Sequence, residues 1–318
     1  TGFGADVELG SMDELLDDPA EVFRVSVSPP ASGPVYFRGV ALDVFDGRRW
    51  WSSTEPASTE LAPPASYPAD AHKMVVTLQS HPEGVLFTAG SVLNIEAGGL
   101  GLRRDTQDAW FVDRAGPEVA YTVWSLAPLG TRTVLGQNEA DTGRWRQFPK
   151  DLDARIAALA TEIVGDEGDP LVRATLIGDR LRTEFSYTRV PRDQGDEGPL
   201  STFLFDRKTG HCEYFASAQA ILLRTLGVPT RLVNGFAGGE LDPDSGELIF
   251  RGYHAHSWVE VYIEGVGWVL ADATPGPEGL VSPPPAPSLV ENLTSFWNVT
   301  VLGWDKDAQI DAVFAAGR

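Results

Sequence analysis

Between Glu21 and Pro128 the apolar residues come in short runs separated by turn residues. Some alternate with polar positions, as in Phe23, Val25 and Val27, and others are denser, as from Val35 to Val40. That spacing predicts β-strands rather than helices. Asp46-Gly47, set between Leu42–Phe45 and Arg48–Trp51, reads as a type I′ hairpin turn, in which both central residues take positive φ. Further strands are expected over 72–80, 85–96, 110–112 and 119–126, together forming an antiparallel sandwich or barrel. The stretch from Ser52 to Asp70, rich in Pro, Ala, Ser and Thr, cannot continue a ladder and reads as a long surface loop.

From Asp151 onward the apolar period lengthens to about 3.6 residues, with Ile156, Leu159, Ala160 and Ile163 on one face. A boundary near residue 140 follows, with a β-rich module over 1–140, an α+β core over 141–290 and a tail over 291–318. Asp169-Pro170 marks a helix start, because aspartate caps and proline at the first helical position loses no useful donor. That helix should run to about Phe185. A second helix, apolar nearly all round, opens at Cys212 and ends at Gly227 before Pro229. Tyr253–Ile263 then alternates as a strand, with His256, Trp258, Glu260 and Tyr262 on one face. Gly265 and Gly267 turn the chain back into Trp268–Thr274. The proline-rich 276–288 segment reads as extended, the tail around Trp297 and Trp304 as polar-aromatic, and no internal repeat occurs.

At 318 residues and 42% hydrophobic, the chain has enough material for two cores. With 25 Lys plus Arg against 45 Asp plus Glu, its net charge of −20 repels phosphate backbones and anionic membranes, so nucleic acid is not expected as a partner. A single cysteine, Cys212, excludes an intrachain disulfide and any structural zinc site needing two thiolates. No apolar run approaches the roughly 18–20 residues of a membrane span, and Thr1-Gly2-Phe3-Gly4 has no signal-peptide character. The expectation is a soluble piece of a longer chain.

The thiol of Cys212 therefore acts alone or not at all. At a helix N-terminus it meets a partial positive charge and unpaired backbone N–H groups, both of which favour thiolate over thiol. A strand turn centred near Glu264 places His256 directly opposite Asp272. An imidazole oriented by a carboxylate can take a proton from a thiol on its other nitrogen, which is the logic of a nucleophilic triad. A one-residue slip would defeat the pairing. Taken singly, each residue has a plainer explanation: a packed cysteine, a strand histidine and a strand-end aspartate.

Taken together, these residues resemble the transglutaminase-like superfamily, and within it the bacterial membrane-anchored proteins of the TgpA type. The resemblance is carried by 210–218 (Gly-His-Cys-Glu-Tyr-Phe-Ala-Ser-Ala), 226–236, 255–261, and Gly267-Trp268-Val269 leading to Asp272. It extends upstream through Tyr36-Phe37-Arg38-Gly39 and 45–50, and weakly downstream through 301–305. It implies a papain-like core on the outer side of the bacterial inner membrane, tethered by helices outside this segment. It also implies Cys212 as nucleophile, His256 as general base and later acid, and Asp272 as the orienting carboxylate. A glutamine side-chain amide of a protein or peptide would acylate the thiol, ammonia would leave, and an amine or water would resolve the thioester. Backbone N–H groups at the helix start, including that of Cys212, would hold the oxyanion. The reading calls for no cofactor and no metal. Three positions depart from the family pattern: Tyr214 stands where histidine is common, His211 where a small or acidic residue is usual, and His254 where an acidic residue precedes the catalytic histidine.

Other readings compete. His254, His256 and Asp272, with His211 or Cys212, offer a transition-metal site, but that reading leaves the helix position of Cys212 unexplained. The carboxylates of 240–247 invite calcium, yet Asp-Ser-Gly is ordinary turn chemistry and Pro243 fits poorly around a cation. Glu213 and Glu260 form a nominal glycosidase pair without a fixed separation. Trp50, Trp51 and Trp110 offer a carbohydrate surface or a core. The same triad would serve a cysteine peptidase or amidase, and a silent binding module would need none of it. The segment from Arg189 to Leu200, rich in Gly, Pro and charge, is a candidate lid.

Overall fold

The computed structural model describes residues 6–9, 13–30, 35–79, 84–113, 118–126, 142–189 and 198–276. Its amino-terminal part is built of β1 (Asp6–Glu8), a short helix α1 (Asp13–Leu16), β2 (Glu21–Ser28), β3 (Val35–Leu42), β4 (Val44–Phe45), β5 (Arg49–Trp51) and β6 (Ala57–Ser58). It continues through β7 (Ala71–Gln79), β8 (Val85–Leu86), β9 (Ser91–Glu96), β10 (Leu102–Arg104), β11 (Trp110–Val112) and β12 (Glu118–Leu126). The carboxyl-terminal part holds α2 (Ala154–Val164), α3 (Pro170–Glu184), β13 (Ser186–Tyr187), α4 (Pro199–Ser201), β14 (Thr209–Gly210) and α5 (Cys212–Thr225). It closes with β15 (Thr230–Gly238), β16 (Glu240–Leu241), β17 (Leu248–Arg251), β18 (Ala255–Ile263) and β19 (Gly267–Ala271).

The expected α+β class, with antiparallel sheets ahead of a helix-and-sheet core, is what the chain adopts. The β4–β5 hairpin forms as expected, but its turn differs from type I′. Gly47 has φ 106° while Asp46 does not take positive φ, and Val44 and Phe45 pair with Trp51 and Trp50. The tight turn therefore centres on Gly47-Arg48, with glycine at the first central position, as type II′ requires. The side chain of Asp46 instead accepts the N–H groups of Arg48 and Arg49 at 2.8 Å. The single strand expected over 85–96 is two. Gly90, at φ 70°, breaks the run, and β8 and β9 join different sheets. Asp169 caps α3 as its sequence predicts, accepting from the N–H groups of Leu171 and Val172 at 2.8 and 3.0 Å.

Each of the two main sheets draws strands from both sides of residue 140. The six-stranded sheet has the order β16-β17-β2-β7-β12-β9, so the β16–β17 hairpin extends the amino-terminal sheet. The other, one of two four-stranded sheets among the described residues, has the order β19-β18-β15-β3, so β3 completes the sheet beside α5. All eight residues of β3 are buried, which explains why its sequence is a dense apolar run rather than an alternating one. Phe23, Phe37, Phe87, Phe236 and Phe250 interlock where these strands meet, with Phe23 stacked on Phe250 at 4.5 Å and edge-on to Phe37 at 5.2 Å. The residues around position 140 and those of the tail lie outside the described residues.

Residues Cys212 through Arg224 of α5 are all buried. The helix packs against α2, α3, β15 and β18, which accounts for its apolar character all round.

Candidate active site

Three elements bring the sequence-predicted residues together. Cys212 is the first residue of α5, with His211 as its cap in extended conformation. The first hydrogen bonds of the helix run from Tyr214 and Phe215 N–H to the His211 carbonyl, so the Cys212 N–H lies ahead of them, at the positive end of the helix dipole. His256 is the second residue of β18, and Asp272 follows the last residue of β19.

The strand register is not the one expected. Ile263 pairs with Gly267 and Val259 with Ala271, which centres the turn on Gly265. Asp272 is therefore displaced by two residues from direct opposition to His256. Because side chains alternate with a period of two, an even displacement keeps both residues on the same face. The contact survives on the diagonal: His256 Nε2 lies 2.6 Å from Asp272 Oδ2.

Asp272 is held by more than the imidazole. The Tyr36 hydroxyl donates to the same Oδ2 atom at 3.0 Å, the Thr274 N–H donates to Oδ1 at 2.9 Å, and Arg182 Nη1 donates to the Asp272 backbone carbonyl. Burial opposes ionisation of Asp272, but the charge and hydrogen bond of His256 and the bonds from Thr274 outweigh it, holding the carboxyl below its ordinary range. Burial likewise opposes protonation of His256. The Asp272 carboxylate, with a smaller contribution from Cys212, overcomes it and raises the imidazole to about 10. His256 Nδ1 makes no hydrogen bond among the described residues, and Cys212 is close enough to act on the ring. Trp258 stacks on His256 with centroids 6.2 Å apart, which limits the ring's freedom to turn.

Cys212 and His256 are both buried, so a reactant reaches the sulfur only if the site opens. Tyr187, which the sequence reading missed, is near enough to Cys212 and Asp272 to feel both charges. Its strand β13 runs parallel to β14, with Tyr187 paired to Gly210 just ahead of the cysteine. Burial and the Cys212 charge raise its phenol. Tyr36 was also missed as a site residue. Its signal was its place in the upstream segment that carries the family resemblance.

The residues invoked by the competing readings have other occupations. His254 lies in a 3₁₀ turn, not on the strand face beside His256, and its Nδ1 accepts the Arg251 N–H at 2.9 Å. No three His, Cys, Asp or Glu side chains converge on a metal-sized site among the described residues. Glu260 is buried between Arg231 and Arg38, at 2.6 and 3.2 Å. The acidic loop is an ordinary turn, with Asp242 accepting from Asp244 N–H at 3.0 Å and from the Ser245 hydroxyl at 2.7 Å. Trp50 and Trp110 are buried. Much of the 189–200 segment lies outside the described residues.

Residues 157–273 match the transglutaminase-like superfamily core, and residues 1–132 match the TgpA N-terminal domain. A protein-glutamine gamma-glutamyltransferase of Pseudomonas aeruginosa is 30% identical over 284 residues, covering 86% of this chain and 41% of that protein. The uncharacterized protein YebA of Bacillus subtilis is 34% identical over 140 residues, covering 42% of this chain and 19% of its own length. The chain thus spans less than half of either relative. The crystal structure of the periplasmic domain of TgpA from P. aeruginosa superposes with a TM-score of 0.74 at 28% identity, covering 86% of this chain and 94% of that one. Among the described residues no helix is long and apolar enough to cross a membrane. The chain belongs to the transglutaminase-like superfamily, joining that family's core to a TgpA N-terminal domain.

Proposed function

We propose that this chain is a thiol acyltransferase acting on glutamine side-chain amides of proteins or peptides, with Cys212, His256 and Asp272 as its catalytic triad. The observation that carries the reading is the 2.6 Å contact between His256 and Asp272 beside a cysteine at a helix N-terminus. In the first step the Cys212 sulfur attacks the amide carbon. The C–N bond breaks, and His256 gives its proton to the departing ammonia, leaving a thioester. In the second step a primary amine attacks the thioester carbon and loses a proton to His256. The C–S bond breaks, regenerating the thiolate and leaving an isopeptide bond. The Cys212 backbone N–H is placed to donate to the oxyanion of both tetrahedral states. Asp272 fixes the imidazole tautomer and stabilises its charged form. With a raised proton affinity, His256 holds the proton that the thiol gives up.

Because the P. aeruginosa relative is described as a periplasmic domain, we place this chain on the outer face of a bacterial inner membrane, tethered by segments outside it. The test is incubation with a glutamine-containing peptide and a primary amine, followed by mass spectrometry. Amine incorporation that disappears in Cys212→Ala supports the proposal. Hydrolysis of a backbone amide would reassign the same triad to a peptidase, and no Cys212-dependent product would reject catalysis.

A further inference from the structure

Tyr36 belongs to β3, which the amino-terminal region contributes to the sheet beside α5. It is 236 residues away from Asp272 in sequence, yet its hydroxyl meets Asp272 Oδ2, the atom that also accepts from His256 Nε2. The phenol is buried, with 6% exposure. Its ring lies edge-on to Trp258 at 5.3 Å and 6.0 Å from the His256 ring. Trp258 in turn stacks on His256. The two aromatic rings and the carboxylate thus enclose the imidazole.

We propose that Tyr36 is a positioning residue of this active site, holding Asp272 ionised and in place so that the amino-terminal region supplies part of the catalytic apparatus. This inference rests on the triad reading given above. The physical argument concerns the catalytic cycle. Once His256 has given its proton to the leaving ammonia, the Asp272 carboxylate, only 11% exposed, faces a neutral imidazole and loses its counter-charge. Solvent is too scarce to compensate a carboxylate there, and a second donor on Oδ2 does so instead. By stabilising the anion in that state, the hydroxyl makes His256 a readier proton donor.

The charged and titratable groups facing Asp272 come from several elements. They are His256 on β18, Tyr36 on β3, Arg182 on α3, and Tyr187 on β13, whose phenol feels the Asp272 charge, while Cys212 acts on the other partner of the pair, His256. Among these, Tyr36 and His256 donate to the same carboxylate oxygen.

The discriminating variant is Tyr36→Phe, which removes one oxygen and keeps the ring. The expected result is a kcat about tenfold lower with KM unchanged, the size of one charge-assisted hydrogen bond. A His256 titration followed by NMR should move upward in pH, because the deprotonated pair has lost its extra donor. Asp272→Asn should move the same titration downward, since it removes the counter-charge itself. Opposite directions separate a tuned carboxylate from a loosened site. If Tyr36→Phe shifted His256 downward as well, or left both kcat and the titration at wild-type values, the inference about Tyr36 would be overturned while the triad stood. If Asp272→Asn and Cys212→Ala left turnover intact, the triad reading itself would fall and take this inference with it. Should Tyr36→Phe not fold, 3-fluorotyrosine placed at position 36 keeps the ring and strengthens the donor. It should shift the His256 titration downward, and no shift would count against the proposal.

Discussion

Trp50 Nε1 donates a hydrogen bond to Ser217 Oγ at 2.9 Å, joining a hairpin of the amino-terminal region to the helix that begins at Cys212. Both residues are fully buried, and the Arg224 guanidinium lies over the indole with its centre 4.9 Å from the ring. The helix with the candidate nucleophile is therefore packed against a residue encoded 167 positions earlier. Trp50→Ala should cost about 3–5 kcal/mol, from lost burial and a cavity beside α5. Ser217→Ala, which strands only the indole N–H, should cost about 1–3 kcal/mol. Chemical denaturation of the two variants checks the ranking, and equal losses would contradict it.

Strand sharing makes a prediction about dissection. β15 pairs with β3 from Leu232 opposite Leu42 to Gly238 opposite Val35, and β17 pairs with β2. A fragment of residues 141–318 would expose the edge of β15 and the rings of Phe236 and Phe250. It should show no cooperative unfolding transition by itself, and co-expression with residues 1–140 should restore one. A sharp transition in the isolated fragment would refute this.

Gly235 lies where β3 and β18 both press on β15. A Cβ there would stand 2.0 Å from the Phe37 carbonyl oxygen and 2.7 Å from Trp258 Cη2. Gly235→Ala should destabilise the protein by about 3 kcal/mol, because one of the two contacts is with backbone that cannot rotate away. Since Trp258 stacks on His256, turnover of the folded fraction should also fall. Thermal midpoint and activity measured on the same preparation separate the two effects.

The buried histidines set a pH window. Burial holds His211 and His254 down at about 4, against roughly 6.5 in an unfolded chain. Between these values the unfolded state binds more protons, so stability is lost as pH falls from about 6.5 toward 4. Asp272, whose value is also depressed, adds stability that is present above the ordinary carboxylate range and lost as pH falls through its folded value. His256 works in the other direction. Its raised value gives stability that is complete below about 6.5 and lost as pH rises toward about 10. The thermal midpoint should therefore decline on both sides of neutrality. His254→Gln should flatten the acid side, and a His256 variant the alkaline side.

Much of the site was legible in the sequence for local reasons. A cysteine before an apolar run that ends in Gly227 and Pro229 specifies a helix with its thiol at the N-terminus. Alternation from His256 to Tyr262 specifies a strand, and the glycines at 265 and 267 specify a return. Period-two geometry then kept His256 and Asp272 on one face even though the turn formed one residue later than its spacing implied.

Contacts between distant segments were decided only by tertiary structure. No local pattern says that β3 should leave its neighbours and pair with β15, or that β17 should pair with β2, because ladder formation depends on which edges are available once the chain has collapsed. The dense apolar run at 35–40 recorded that this strand is buried on both faces, but not what buries it. Tyr36 reaches Asp272 through that pairing, and Trp50 reaches Ser217 from the separate β1-β5-β4 sheet. Local sequence determined which chemical groups sit at the ends of which elements. The packing of two sheets that exchange strands determined which groups surround them, because that depends on distances no stretch of sequence encodes alone.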